Sequence, residues 1–332
     1  MRIAILDDTQ DFVRHLDCFA RLARHEVRVF NHPARGLGQL AARLDQVEAL
    51  ILIRERTRIT EALLTRLPEL KLICQTGKLG PHLDLAACTR HGIAVTESTG
   101  YAAATAEFTW LLVLAAQRRL VPYASHLKAG QWQRSLPPNA HWPLAPMGRS
   151  LAGQTLGVWG YGRIGRLVAA YGHSFGMNVQ VHGRPASLEQ AAADGHTPCP
   201  DRAGFFATAD VLCLHLRLVE ATRSSVTPEL LGHMKPTALL VNTSRAELIA
   251  PGALLAALQA GRPGLAAIDV FEREPVAADE PLLALPNVLA TPHLGYVERE
   301  SYERLFGGAI DNLLAFASGQ PTGVANPEVL AR

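Results

Sequence analysis

The sequence predicts an α/β protein built on two doubly wound parallel sheets, with the second domain inserted into the first. Three observations carry this. Short apolar runs alternate with helical patterns from the first residues to about position 290. A glycine-rich turn, Gly160-Tyr161-Gly162-Arg163-Ile164-Gly165, lies between an apolar run and a helix start. A long helical pattern, roughly Val297–Ala317, follows the last strand candidate and is expected to return to the first sheet. A chain of 332 residues that is 48% apolar is long enough for about two domains with cores of their own. The expected division is 1–99 with 296–332 for one domain and 100–295 for the other.

In the first hundred residues the strand candidates are Ile3–Leu6, Val27–Phe30, Ala49–Ile53, Leu70–Cys74 and Ile93–Val95. Between them lie helical patterns at Phe12–Ala23, Leu37–Leu44, Glu61–Leu67 and Leu83–Arg90. Thr60 is placed to N-cap the third of these, whose apolar face is Leu63, Leu64 and Leu67. Residues 101–129 are rich in alanine and leucine and predict one strongly helical, buried stretch. Pro137-Pro138, Pro143 and Pro146 then predict a loop. The second series has strands at Thr155–Trp159, Asn178–Val181, Val211–Leu214, Ala238–Val241, Leu265–Ile268 and Val288–Ala290. Its helices are Ile164–Phe175, Leu188–Ala193, Pro228–Gly232 and Pro251–Gly261. Six strands with a glycine-rich first turn predict a complete nucleotide domain of the Rossmann type.

The bulk numbers narrow the partners. A net charge of +2 is too small to suggest a nucleic acid, and no apolar run approaches the ~20 residues of a membrane span. Arg54-Glu55-Arg56-Thr57-Arg58 is the densest basic cluster, and it is read as a solvated loop or as one wall of an anion cleft. The five cysteines show neither disulfide framework nor metal spacing, so a reducing, cytoplasmic setting and no metal are expected. Cys74 and Cys213 fit as small core residues.

The chemistry begins at the glycine turn. Gly160 allows the tight turn, Gly162 lets backbone approach a pyrophosphate, and Gly165 lets helix and strand pack closely. The helix N-terminus offers free N–H donors to the anion. The acid that would bind a ribose diol about 20 residues further on is replaced by Gly183, with Arg184 next. Loss of the carboxylate and gain of a cation favour NADP over NAD. Arg245, Glu274 and His293 each follow a strand candidate, where the ends of a doubly wound sheet form a cleft. Together they fit reduction of a 2-keto acid. Arg245 can hold the carboxylate and polarise the carbonyl, His293 can supply or take the proton, and Glu274 can orient and tune His293.

The stretches LAGQTLGVWGYGRIG (151–165), ADVLCLH (209–215), LLVNTSRAELI (239–249), AAIDVFEREP (266–275) and LPNVLATPHLGY (285–296) resemble, in order and spacing, the D-isomer-specific 2-hydroxyacid dehydrogenases. The resemblance covers nearly the whole chain. It implies a discontinuous, flavodoxin-like substrate domain around a Rossmann-type cofactor domain. Catalytic roles are implied for Arg245, Glu274 and His293. Implied cofactor contacts are Arg163 and Ile164 at the pyrophosphate, Thr243 and the adjoining Ser244 near the nicotinamide ribose, and Asp269 at the nicotinamide amide. His215 falls on the cofactor side, where His215-Leu216-Arg217 replaces the family's histidine–x–proline. The substrate loop falls on Gly77, Lys78 and Leu79, with Leu79 at a position the family usually gives to glycine. Backbone N–H groups of Lys78 and Leu79 are expected to bind a carboxylate, and the Lys78 ammonium to add charge. The resemblance also implies a homodimer, with the helix near 101–120 and the arm 131–150, including Trp132 and Trp142, as contact elements. The competing reading is a nucleotide-sensing, corepressor-like binding protein on the same scaffold; a third is an inactive scaffold whose substrate loop has degenerated at Leu79.

Overall fold

Five apolar runs in the first hundred residues pair as one parallel sheet. They are β1 (Arg2–Leu6), β2 (Glu26–Val29), β3 (Ala49–Leu52), β4 (Leu72–Gln75) and β5 (Ala94–Glu97), in the order β2-β1-β3-β4-β5. β3 and β4 are buried along their whole length, which is why they read as unbroken apolar runs rather than alternating ones. On one face Leu6, Leu50, Leu52, Ile73 and Val95 pack with Leu63 and neighbouring residues. The crossover helices are α1 (Leu37–Arg43), α2 (Glu61–Leu64) and α3 (Leu85–Arg90). A C-terminal helix, Arg299–Ala317, packs against β4 and β5 and buries Tyr302, Leu305, Phe306, Ala309, Ile310 and Leu313.

The computed structural model describes residues 1–135 and 147–331. Contacts divide the chain into two units, Met1–Tyr101 with Val297–Arg332, and Ala102–Tyr296. The second unit holds α4 (Ala102–Gln117), α5 (Leu120–Lys128), β6 (Thr155–Trp159), α6 (Arg163–Ser174), β7 (Asn178–His182), α7 (Pro185–Ala193) and β8 (Thr197–Pro198). It continues through α8 (Arg202–Thr208), β9 (Val211–Leu214), α9 (Pro228–His233), β10 (Leu239–Asn242), α10 (Ala253–Gln259), β11 (Leu265–Ile268) and β12 (Val288–Ala290). The terminal helix of the first unit is then α11. The seven strands are parallel in the order β12-β11-β10-β9-β6-β7-β8. Strand order reverses between β6 and β9, and ligands of doubly wound sheets bind beyond the strand C-termini at that point. Successive residues sort to opposite cores: Leu212, Leu214, Leu240 and Ile268 to one, Val211, Cys213, Val241 and Ala267 to the other.

Four stretches of the chain differ from the sequence expectation. Phe12–Ala23 forms two 3₁₀ segments, Val13–His15 and Asp17–Leu22, parted by extended Leu16. Side chains compete there for backbone donors, with Val13 N–H on Asp8 and Cys18 N–H on Glu303. Thr60 occupies the N-cap of α2, but its hydroxyl accepts no capping hydrogen bond and the helix closes after about one turn. The 101–129 stretch breaks at Arg119, whose φ is 51°, because Arg149 N–H takes the Gln117 carbonyl that a continuing helix would use. The second sheet has a seventh strand, β8, and a helix, α8, capped by Asp201. β8 is two exposed residues, one a proline, and leaves no apolar signal. Pro137, Pro138, Trp142, Pro143 and Pro146 lie outside the described residues.

Candidate active site

The glycine turn joins β6 to α6 at the reversal point. Gly160 has φ +100°, and a Cβ there would sit 2.6 Å from the His215 carbonyl oxygen; one on Gly165 would sit 2.1 Å from the Gly160 carbonyl oxygen. A Cβ on Gly162 meets nothing within 4 Å. The outer glycines are therefore fixed by close approach, and the middle one faces open space. α6 starts at Gly162 with no side-chain cap, so its first-turn N–H groups are left for an external acceptor. These residues fit the diphosphate of a dinucleotide: uncapped donors, a helix dipole and room at the middle glycine.

His215 follows β9, and its N–H donates to Trp159 O at 2.8 Å, tying the ends of β9 and β6 together. Its Nε2 is buried without a hydrogen-bond partner among the described residues. Burial pushes its imidazole down to about 4, so the ring is neutral near pH 7. At the end of β7, His182 Nδ1 lies 2.7 Å from Cys199 O. Gly183 and Arg184 come next, with Arg184 exposed at the N-cap of α7. The turn carries no carboxylate at Gly183, where a Cβ would sit 3.2 Å from Ser187 Cβ.

Arg245, Glu274 and His293 lie beyond the C-termini of β10, β11 and β12 respectively. Glu274 Oε2 and His293 Nδ1 are 2.6 Å apart, while Glu274 Oε1 accepts the Phe271 N–H at 3.0 Å. Burial pushes the Glu274 carboxyl up. The hydrogen bond and charge of His293, the Phe271 N–H and the Arg245 charge outweigh it and hold the group below the usual carboxylate range. Arg245 is thus within electrostatic reach of the pair. Its carbonyl accepts Asn242 Nδ2 at 2.9 Å and its Nη1 donates to Ser244 O at 2.6 Å, so both ends of the residue are fixed. His293 has φ 55°, a left-handed conformation that aims its ring back towards Glu274. The His293 and Glu274 side chains keep 27% and 36% of their surface in solvent, so the pair is reachable from outside.

Three residues expected at the cofactor do work within the chain. Asp269 is fully buried and accepts Thr291 Oγ1 and the Leu294 N–H, each at 2.7 Å, and the Gly295 N–H at 2.8 Å. Burial pushes its carboxyl up despite these bonds and the His293 charge. It clamps the loop that carries His293, a role the sequence reading did not assign. The Thr243 hydroxyl lies 2.7 Å from Thr109 Oγ1 of α4, and Ser244 Oγ donates to Leu216 O at 2.6 Å. Both hydroxyls are hydrogen-bonded within their own unit.

In the first unit, the expectation for Lys78 and Leu79 needs correction. The Leu79 N–H donates to Glu97 Oε1 and Lys78 Nζ to Glu97 Oε2, both at 2.7 Å, and the Gly77 N–H donates to Ser98 Oγ at 2.7 Å. Glu97, at the end of β5, was not singled out from sequence; its relation to the loop follows from the β4–β5 register, which sets Gln75 against Glu97. The basic cluster folds onto its own unit, with Arg54 Nη1 on Thr76 O at 3.0 Å and Arg56 Nη1 on Asp7 O at 2.7 Å. Cys74 and Cys213 are core residues. Among the described residues no cluster of His, Cys, Asp or Glu could hold a metal, and no helix is long and apolar enough to cross a membrane.

Comparison with known proteins places this geometry. Residues 110–295 match the family model of the D-isomer specific 2-hydroxyacid dehydrogenase NAD binding domain. The chain is 39% identical over 277 residues to a glyoxylate reductase of Aeropyrum pernix, covering 82% of this chain and 81% of that one. A crystal structure from Ralstonia solanacearum, described as a D-3-phosphoglycerate dehydrogenase oxidoreductase, superposes with TM-score 0.95 at 54% identity, covering 100% of this chain and 98% of that chain. A phosphoglycerate oxidoreductase from Vibrio cholerae gives TM-score 0.91 at 51% identity, covering 96% and 99%. An uncapped dinucleotide turn and a family match across more than half its length lead to one conclusion: this chain belongs to the D-isomer-specific 2-hydroxyacid dehydrogenases, nicotinamide-dependent oxidoreductases of 2-hydroxy acids.

Proposed function

We propose that the protein interconverts a D-2-hydroxy acid and its 2-keto acid, with His293 as acid/base, Glu274 as its orienting partner and Arg245 as the carboxylate anchor. The observation that carries this reading is the 2.6 Å Glu274–His293 contact with the Arg245 charge acting on the same carboxylate. With Nδ1 donating to Glu274, the His293 proton available to substrate is on Nε2. When bound, a nicotinamide cofactor would supply the hydride for the carbonyl carbon in reduction. His293 Nε2 delivers the proton to the carbonyl oxygen, and in oxidation it takes that proton back from the hydroxyl. Arg245 pairs with the substrate carboxylate and draws charge from the adjacent carbonyl. Glu274 keeps the ring in one tautomer and balances its positive charge. Gly77, Lys78 and Leu79 are the substrate loop of this reading.

Among the cofactors, NADP is favoured: Gly183 removes the acid that would repel a 2′-phosphate and exposed Arg184 offers it a cation. The contacts at Gly160, Gly162, Arg163, Ile164 and Gly165 are proposed on the uncapped start of α6 and the open space at the middle glycine, and those at His215, Thr243, Ser244 and Asp269 on the family resemblance. The exposed side chains Leu111, Leu120, Val121, Leu127, Trp132 and Met147 support a homodimer through the second unit.

The test is steady-state turnover of NADPH and NADH with glyoxylate and hydroxypyruvate. His293→Asn is expected to lower kcat about 10²–10⁴-fold while cofactor affinity, read by nicotinamide fluorescence, holds. Arg184→Ala should weaken NADPH more than NADH. Tight cofactor binding with no turnover of any keto acid would instead favour the nucleotide-sensing reading.

A further inference from the structure

We infer that Arg202 is a second specificity-determining cation at the adenosine end of the cofactor, where it joins Arg184 in receiving a 2′-phosphate. The inference deepens the NADP reading above and rests on it. Every residue involved belongs to the second unit. β6 and β7 run parallel with Trp159 opposite His182; Gly160 follows the first of these and Gly183-Arg184 the second. The chain returns to the same edge of the sheet through β8. There the Cys199 N–H donates to Val181 O at 2.8 Å and His182 Nδ1 lies 2.7 Å from Cys199 O, so the segment leading into α8 is pinned beside the end of β7. Arg202, the first residue of α8, thereby comes to lie over the Trp159 indole, its guanidinium carbon 5.1 Å from the ring centroid. The His182 ring stands edge-on to the same indole at 5.3 Å. Burial and the Arg202 charge hold that imidazole below its usual range, against the opposing pull of the Cys199 carbonyl and Asp201.

Arg202 is held in place without being neutralised. Trp159 is buried and packs edge-on against Phe206, so the indole is a fixed platform. A guanidinium seated over an aromatic ring keeps its N–H fork for another partner. Among the described residues that fork meets neither a carboxylate nor any other hydrogen-bond acceptor. The neighbouring Asp201 is engaged by α8 itself, accepting the Ala203 and Gly204 N–H groups at 3.1 and 2.9 Å. Arg166, near the start of α6, is the opposite case: it pairs at 3.2 Å with Asp194, which also takes the Tyr161 hydroxyl. Arg184 and Arg202 are both exposed. A phosphate monoester carries about −1.5 to −2 charge at pH 7, so Arg184 alone leaves it partly unbalanced and a second guanidinium completes the match. A free ribose diol has no charge for either to meet.

The measurement is calorimetric binding of 2′,5′-ADP and 5′-AMP to the full chain, two nucleotides that differ by the 2′-phosphate. The wild type should bind 2′,5′-ADP the more tightly by about tenfold or more. Arg202→Gln should cut that preference about fivefold or more, while affinity for 5′-AMP and the melting temperature hold. Arg202→Lys, which restores the charge, should recover part of the preference. A preference that Arg202→Gln leaves unmoved overturns the role of Arg202, and its loss in Arg184→Ala keeps the NADP reading standing. An equal fall in both affinities also overturns that role, since it marks a residue that only supports Trp159 or the base. A wild type indifferent to the 2′-phosphate overturns the NADP reading, and the role of Arg202 with it.

Discussion

His215 carries a neutral imidazole into the protein beside Gly160. The unfolded ring takes up its proton near 6.5, whereas the folded one does so only near 4. Between those values the unfolded state binds more protons, so this residue lowers stability as pH falls and has no effect above about 7. From pH 7.5 to pH 5 the loss is about 1–2 kcal/mol. Urea unfolding should show a drop in His215→Gln smaller than in the wild type by that amount. Asp269 is a second single-residue test. An amide there supplies one oxygen for three donors and sets its own NH₂ against at least one of them, which costs about 1–3 kcal/mol. Asp269→Asn should lower melting temperature and reduce kcat about tenfold, through looser support of the His293 loop. At this scale the sequence makes Arg245, Glu274 and His293 candidates, because each chemical type stands just past a recognisable strand, and the structure brings Glu274 and His293 into contact. Glu97 was not a candidate. It lies 18 positions from Leu79, and only strand register makes them neighbours.

The turn between β6 and α6 separates two kinds of glycine. Gly165→Ala forces a carbon to 2.1 Å of the Gly160 carbonyl and should lower the melting temperature together with cofactor affinity. Gly162→Ala points into open space, so it should leave the melting temperature unchanged and weaken cofactor binding alone. Differential scanning fluorimetry and cofactor titration of the two variants distinguish them. Strands buried on both faces, such as β3, β4 and β10, were readable from apolar runs alone. The misread elements share a physical cause. Helix propensity said nothing about Arg149 taking the Gln117 carbonyl, about Asp8 and Glu303 capping the 3₁₀ turns, or about the short edge strand β8, because all of these depend on partners outside the element itself.

For the molecule as a whole, the exposed apolar side chains of α5 make association measurable. Leu120 and Leu127 are each 55% exposed, and burying such a side chain contributes about 1.5–3 kcal/mol. Light scattering should give a dimer mass for the wild type and a lower one for Leu120→Asp/Leu127→Asp, with both retaining the second unit's far-ultraviolet signature. A late amphipathic helix has to bury its apolar face on a sheet made earlier. That helix, α11, covers β4 and β5 with Leu305, Phe306 and Ile310, yet about 200 residues separate it from the last of those strands. At a synthesis rate of ~5–20 residues per second, the nascent sheet waits on the order of 10–40 s with that side uncovered. Ribosome-bound chains stalled short of residue 299 should therefore recruit chaperones that the finished polypeptide no longer needs.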